Sequence, residues 1–228
     1  MPLHVTNPAL RILRDAIDIT RAPFSDRGSR LLLSKYADND RLYIKLAERL
    51  TAIQPGIDTY RFRPPYIQDL CFIDKEGMPL AYRLTTYPHA LLFETRLGEF
   101  AIAFHKGDTL AVGVPPGVPA GIRFRVSTQM WQQDADGGSL KGVRNLAYRT
   151  NGTVLRNELG LEREAYLVEF VVDGGDDVAI HLNIRSDLAL DGAPVPFSQT
   201  LDAAETRWGS WFDRVPPVLA RYRDNYLY

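Results

Sequence analysis

The stretch "HALLFETRLGEFAIAFHKGDTLAVGVP" (89–115) most constrains the fold. It holds three short, apolar-rich segments joined by "LG" and "KGD", the spacing of a three-strand antiparallel meander. The pattern extends in both directions. "AIDITR" (16–21), "SRLLLSK" (29–35), "RLYIKLA" (41–47), "QDLCFID" (68–74) and "PLAYRLTTY" (79–87) read as strands separated by turn-rich stretches. After the Pro/Gly loop "PPGVPAG" (115–121), "IRFRVST" (122–128) alternates apolar and polar residues. "QMWQQDADGGSLKG" (129–142) reads as a long polar loop with Trp131 near its start. Asn151-Gly152 is the pair that a type I′ hairpin turn wants, and Gly174-Gly175-Asp176 separates two further strands. Strands at this density, without strand–helix–strand alternation, predict an all-β chain: a large antiparallel two-sheet β-sandwich. The 228 residues exceed an immunoglobulin-sized sandwich and fit one large all-β domain.

The pattern changes near residue 200. Leu201, Ala204, Trp208, Trp211, Phe212 and Val215 fall on one face at helical spacing. Asp202 with Glu205 fits a capping box, and Pro216-Pro217 suits a helical restart carrying Leu219, Tyr222 and Tyr226. The expected division is a sandwich over 1–199 and a helical linker over 200–228.

A formal net charge of −1 argues against nucleic acid and membrane surfaces as partners, because phosphate binding needs a basic excess. Cys71 is the sole cysteine, so neither an internal disulfide nor a cysteine-based zinc site can form. The first residues lack a signal-peptide core and no apolar run can span a bilayer, which predicts a cytoplasmic protein. Nucleophile-elbow, P-loop, dinucleotide and zincin signatures are absent, and no cofactor or metal is expected. "DADGG" (134–138) starts like a calcium loop but lacks the later acidic ligands, so it reads as a turn. His4, His89, His105 and His181 are scattered and read as sheet histidines before acid/base groups. A glycosidase carboxylate pair is defined by separation in space and cannot be picked out by spacing along the chain.

Two stretches offer ligand contacts. Trp131, beside Gln132, can stack on a sugar ring or pack over the end of the sandwich. Arg27 and Arg30, around a Gly-Ser turn with Asp26, can meet an anion or clamp the turn.

"ITRAPFSDRGSRLLL" (19–33), "TYPHALLFETRLGEFAIAFHKGDTLAVGVP" (86–115) and "WFDRVPPVLARYRDNYLY" (211–228) together resemble the N-terminal region of bacterial six-hairpin glycoside hydrolases of the α-glucosidase/trehalase-like clan. The resemblance implies a supersandwich that precedes an (α/α)6 barrel across a helical linker. The barrel would carry the catalytic carboxylates, so no residue here is assigned a catalytic role. It also implies that the sandwich supports the barrel and helps shape its cleft. Trp208, Trp211, Phe212, Tyr222 and Tyr226 are then the expected interdomain contacts. Two other functions stay open. A free-standing carbohydrate-binding module would use Trp131. A mutarotase-like enzyme would need His89, His105 or His181 beside a carboxylate in a cleft.

Overall fold

A computed structural model describes residues 5–47, 65–127, 130–142, 145–162, 165–184 and 193–214. In chain order its elements are α1 (Pro8–Ile12), β1 (Leu31–Lys35), β2 (Leu42–Leu46), β3 (Ile67–Asp74), β4 (Tyr82–Thr86), β5 (Ala90–Thr95), β6 (Gly98–Lys106), β7 (Thr109–Gly113), β8 (Ala120–Val126), β9 (Met130–Asp134), β10 (Gly137–Lys141), β11 (Leu146–Thr150), β12 (Val154–Glu162), β13 (Ala165–Val172), β14 (Ala179–Asn183) and α2 (Phe197–Phe212). The strands form a six-stranded sheet, ordered β1-β2-β3-β8-β13-β12, and an eight-stranded sheet, ordered β4-β5-β6-β7-β14-β11-β10-β9. The named pairings are antiparallel, so the chain is an all-β two-sheet sandwich, as the meander predicts.

Alternation builds the core. Phe100, Ile102 and Phe104 of β6 point inward with Leu91 and Phe93 of β5 and Leu110 and Val112 of β7. Ile122, Phe124, Val168 and Phe170 meet them from the other sheet. Phe72 of β3 crosses the interface, stacking on Phe100 at 4.4 Å and meeting the tilted Phe93 ring at 4.7 Å between centroids. Burying each such side chain stabilises the fold by about 1.5–3 kcal/mol.

The outward face of the same strands is different. Ala101, Ala103 and Ala111 are small and buried there, because α2 lies across them. At Gly113 a Cβ would stand 2.6 Å from the Phe197 ring, so glycine lets the first turn of α2 sit against β7. Phe197, Trp208 and Phe212 pack with Val5, Leu10, Tyr87, Leu92 and Ala101 in a second apolar cluster outside the sandwich. Arg207 fastens the helix to the sheet, donating to the Phe104 carbonyl at 2.7 Å and to Asp26 at 2.5 Å. Glu205 holds the N-terminal segment by accepting from the Thr6 and Asn7 amides at 2.7 and 2.9 Å.

Several expectations are corrected. Residues 16–21 form no strand: 16–18 are irregular and 19–21 turn. Asp18 accepts from the Thr20 amide at 3.0 Å, and that local bond wins over a short apolar alternation. Within the polar stretch read as a loop, residues 130–141 form a hairpin, β9 and β10, turning at Ala135-Asp136. Its polarity reflects a place at the sheet edge. Asn151-Gly152 does not close a hairpin. β11 and β12 lie in different sheets, and neither turn residue has positive φ. The Gly-Gly-Asp turn likewise carries β13 across to β14 in the other sheet. Finally, α2 starts at Phe197, so Asp202 and Glu205 are interior positions and no capping box forms. Its cap comes from Asp177, which accepts the Ser198 amide at 2.7 Å and also binds the Ser198 hydroxyl.

Candidate functional site

Beside the α2 cluster, the outer face of the eight-stranded sheet holds a cleft of ≈ 190 Å³. Arg14, Arg83, Thr85, Tyr87, Leu92, Glu94 and Glu99 line it. Register explains the grouping. Arg83 of β4 is opposite Glu94 of β5, and Glu94 is opposite Glu99 of β6, so one outward row reads Arg-Glu-Glu. The next row, Thr85, Leu92 and Ala101, runs toward α2. A shallower depression of ≈ 540 Å³ continues past Arg83 and Glu94 to Arg96.

Arg83 donates to Glu94 from Nε at 3.0 Å and Nη2 at 2.6 Å. The Glu94 side chain is 61% exposed, so this is a hydrated ion pair. A glycosidase general acid instead needs an apolar pocket that keeps it protonated. The cleft is suited to holding a small hydroxylated ligand: acceptors and guanidinium donors alternate beside an aromatic ring. The signal was available in "ETRLGE". A two-residue turn at Arg96-Leu97 sets Glu94 opposite Glu99, but the partnership with Arg83 and Arg14 needs the fold.

The ligand residues expected from sequence do not converge. Trp131 lies on edge strand β9 and packs against the main core, its indole N–H donating to the Tyr148 hydroxyl at 2.9 Å. Gln132 is exposed on the same strand. Arg30 makes a clamp, donating from Nε to Asp108 at 2.9 Å and from Nη2 at 2.5 Å. Its partner is Asp108 in the β6–β7 turn, while Asp26 goes to Arg207. Arg27 is exposed nearby. Four strand positions separate β7 from β9, roughly 19 Å, so the Arg30 and Trp131 regions form no common site.

Of the expected interdomain residues, Trp208 and Phe212 are half-buried within the chain's own outer cluster. Trp211 is 43% exposed, with its ring 6.1 Å from Trp208 and 4.9 Å from Phe212. Tyr222 and Tyr226 lie outside the described residues, as does the Pro216-Pro217 restart.

His105 and His181 stand on adjacent regions of the outward face, ring centroids 5.2 Å apart, under α2. The His181 ring meets the Val195 carbonyl and His105 meets the Thr200 hydroxyl. Burial, with the neighbouring His105, lowers His181 to about 4. His89 is 1% exposed with neither ring nitrogen hydrogen-bonded, and burial lowers it to about 4 against the opposing pull of Glu205. None of the three lines the cleft.

On the outer face of the other sheet, Cys71 is buried beside Arg41, whose Nη1 is 2.7 Å from the sulfur. Burial pushes this thiol up despite the two guanidinium neighbours, Arg41 and Arg123. Among the described residues no helix is long and apolar enough to cross a membrane. The sequence matches no protein-family model and no curated protein.

Proposed function

We propose that this chain is a non-catalytic β-sandwich domain of a cytoplasmic, carbohydrate-active glycoside hydrolase, buttressing an (α/α)6 barrel of the same polypeptide. The observation that carries this reading is α2. Three of its aromatic residues meet the sandwich, while Trp211 remains exposed at the end from which a following domain would lead. A helix seated on the sandwich that still exposes part of an aromatic ring is a suitable junction. A second reading, carbohydrate binding, draws on the Arg83-Glu94-Glu99 cleft and Tyr87.

One set of measurements separates these readings from an enzyme. The purified chain should hydrolyse none of a panel of aryl glycosides, trehalose and malto-oligosaccharides. Turnover that disappears in Glu94→Gln or Glu99→Gln overturns the non-catalytic reading. The gene's reading frame should run on past Tyr228 into paired helices, and a stop codon there removes the barrel. Calorimetric heat with malto-oligosaccharides that is lost in Glu99→Gln supports the binding reading, and no heat with any glycan dismisses it.

A further inference from the structure

Among the described residues, the two sheets end in four edge strands, β1 and β12 in one and β4 and β9 in the other. A bare edge offers unpaired N–H and C=O groups to another strand. Among the described residues, the backbone of the chain covers two of these edges. Phe24 and Leu33 exchange hydrogen bonds of 2.7 and 2.9 Å along β1, and the Lys35 amide donates to Ile19 at 3.0 Å. Along β4 the Asp15 amide donates to the Thr86 carbonyl at 2.8 Å, and the Asp15 carboxylate accepts the Thr86 amide at 3.0 Å. β9 is five residues long, whereas β12 has nine and no proline. Leu155 and Leu161 of β12 are 53% and 70% exposed, and Glu158 and Gly160 are exposed as well.

The charges on β12 say what should lie beside it. Glu158 is directly opposite Glu169 of β13, a like-charge pair that disfavours the sheet. Glu169 is already shared by Arg123 at 3.3 Å and Arg156 at 3.4 Å. The open side of Glu158 faces the edge, where a cation would relieve the repulsion.

We infer that β12 pairs antiparallel with β12 of a second copy of this chain, about a two-fold axis at Asn157. In that register Arg156 stands opposite the second copy's Glu158, and Glu158 opposite its Arg156. Both residues lie on the outward face, as side-chain alternation across a continuous sheet requires. Leu155 comes beside the second copy's Leu159. Moving the axis to Glu158 would oppose two glutamates, so charge selects the Asn157 register. The bulge between Val154 and Arg156 shortens the seam and keeps the association modest.

Sedimentation of the purified chain from about 1 µM to about 1 mM tests this. A reversible monomer–dimer equilibrium is expected. Glu158→Lys should weaken it by at least about tenfold, because both cross-seam pairs become repulsive. Glu158→Gln should weaken it by less, and Trp211→Ser should leave it unchanged. Glu158→Lys also removes the clash with Glu169, so its melting temperature should hold or rise, separating lost pairing from lost folding. A wild-type monomer throughout, a dimer indifferent to both Glu158 variants, or one lost in Trp211→Ser overturns the inference.

Discussion

The Tyr148 hydroxyl accepts the Trp131 indole N–H and donates to Asn157 Oδ1 at 2.8 Å, while Asn157 Nδ2 donates to the Gly137 carbonyl at 2.6 Å. Asn157 belongs to the six-stranded sheet and the other three to the eight-stranded sheet, so this chain of bonds joins the two layers. The Tyr148 ring is fully buried and meets Phe124 and Phe170 edge-on. Burial pushes its hydroxyl up to about 12, so it stays a donor over any ordinary pH. Tyr148→Phe keeps the ring but leaves an indole N–H and an amide oxygen unpaired. It should destabilise the fold by about 1–3 kcal/mol in urea unfolding. A loss within error would mean that water replaces the hydroxyl. Trp131 was visible in the sequence as a residue with a task. Which task depended on Tyr148, seventeen positions away, and no local pattern links them.

At the scale of elements, α2 shows why some structure was legible and some was not. Its amphipathic spacing marks a helix, and Ala204, Trp208 and Phe212 face the sandwich accordingly. Its start was not legible, because the cap is supplied by Asp177, more than a turn of sequence away in another loop. Asp177 also has φ of 61°, where most side chains are strained. Asp177→Ala therefore loses the cap and keeps the strain, and should cost about 1–2 kcal/mol in thermal unfolding. Asp177→Gly relieves the backbone and should cost less. The reverse order would show that the cap contributes little. The meander was legible because β5, β6 and β7 are neighbours in both sequence and space. Asn151-Gly152 misled because turn chemistry reports a reversal of direction and carries no mark of which sheet comes next.

For the molecule as a whole, buried histidines set an acid limit. His89 and His181 each have their pKa lowered to about 4 by burial, against an unfolded value near 6.5. The folded state binds fewer protons, so stability is full above about pH 6.5 and falls as pH drops toward 4. Each histidine can remove up to about 3 kcal/mol by the bottom of that window. Glu205 faces His89. Burial raises its carboxyl, but the hydrogen bonds from Thr6 and Asn7 together outweigh this and hold it below the usual range. Its contribution is lost at still lower pH. Urea midpoints at pH 7, 5.5 and 4.5 should decline, and His89→Leu should flatten the decline. An unchanged slope in that variant would remove His89 from this account. The composition showed four histidines. The burial of His89 and His181 follows from α2 and the N-terminal segment lying over one face, which no single stretch of sequence states.

The strand order has a consequence for how the chain reaches this state. β3 pairs with β8 and β7 with β14, so each sheet contains partners that are far apart along the chain. Closing such loops is slow, and folding waits on them. The platform for α2 needs β6 and β7, and its cap needs the turn before β14. The helix therefore has no complete seat until the last strand of the larger sheet is in register. During synthesis the sandwich must be closed before its aromatic helix finds cover, which leaves the aromatic residues of α2 exposed to misassembly while the protein is being made.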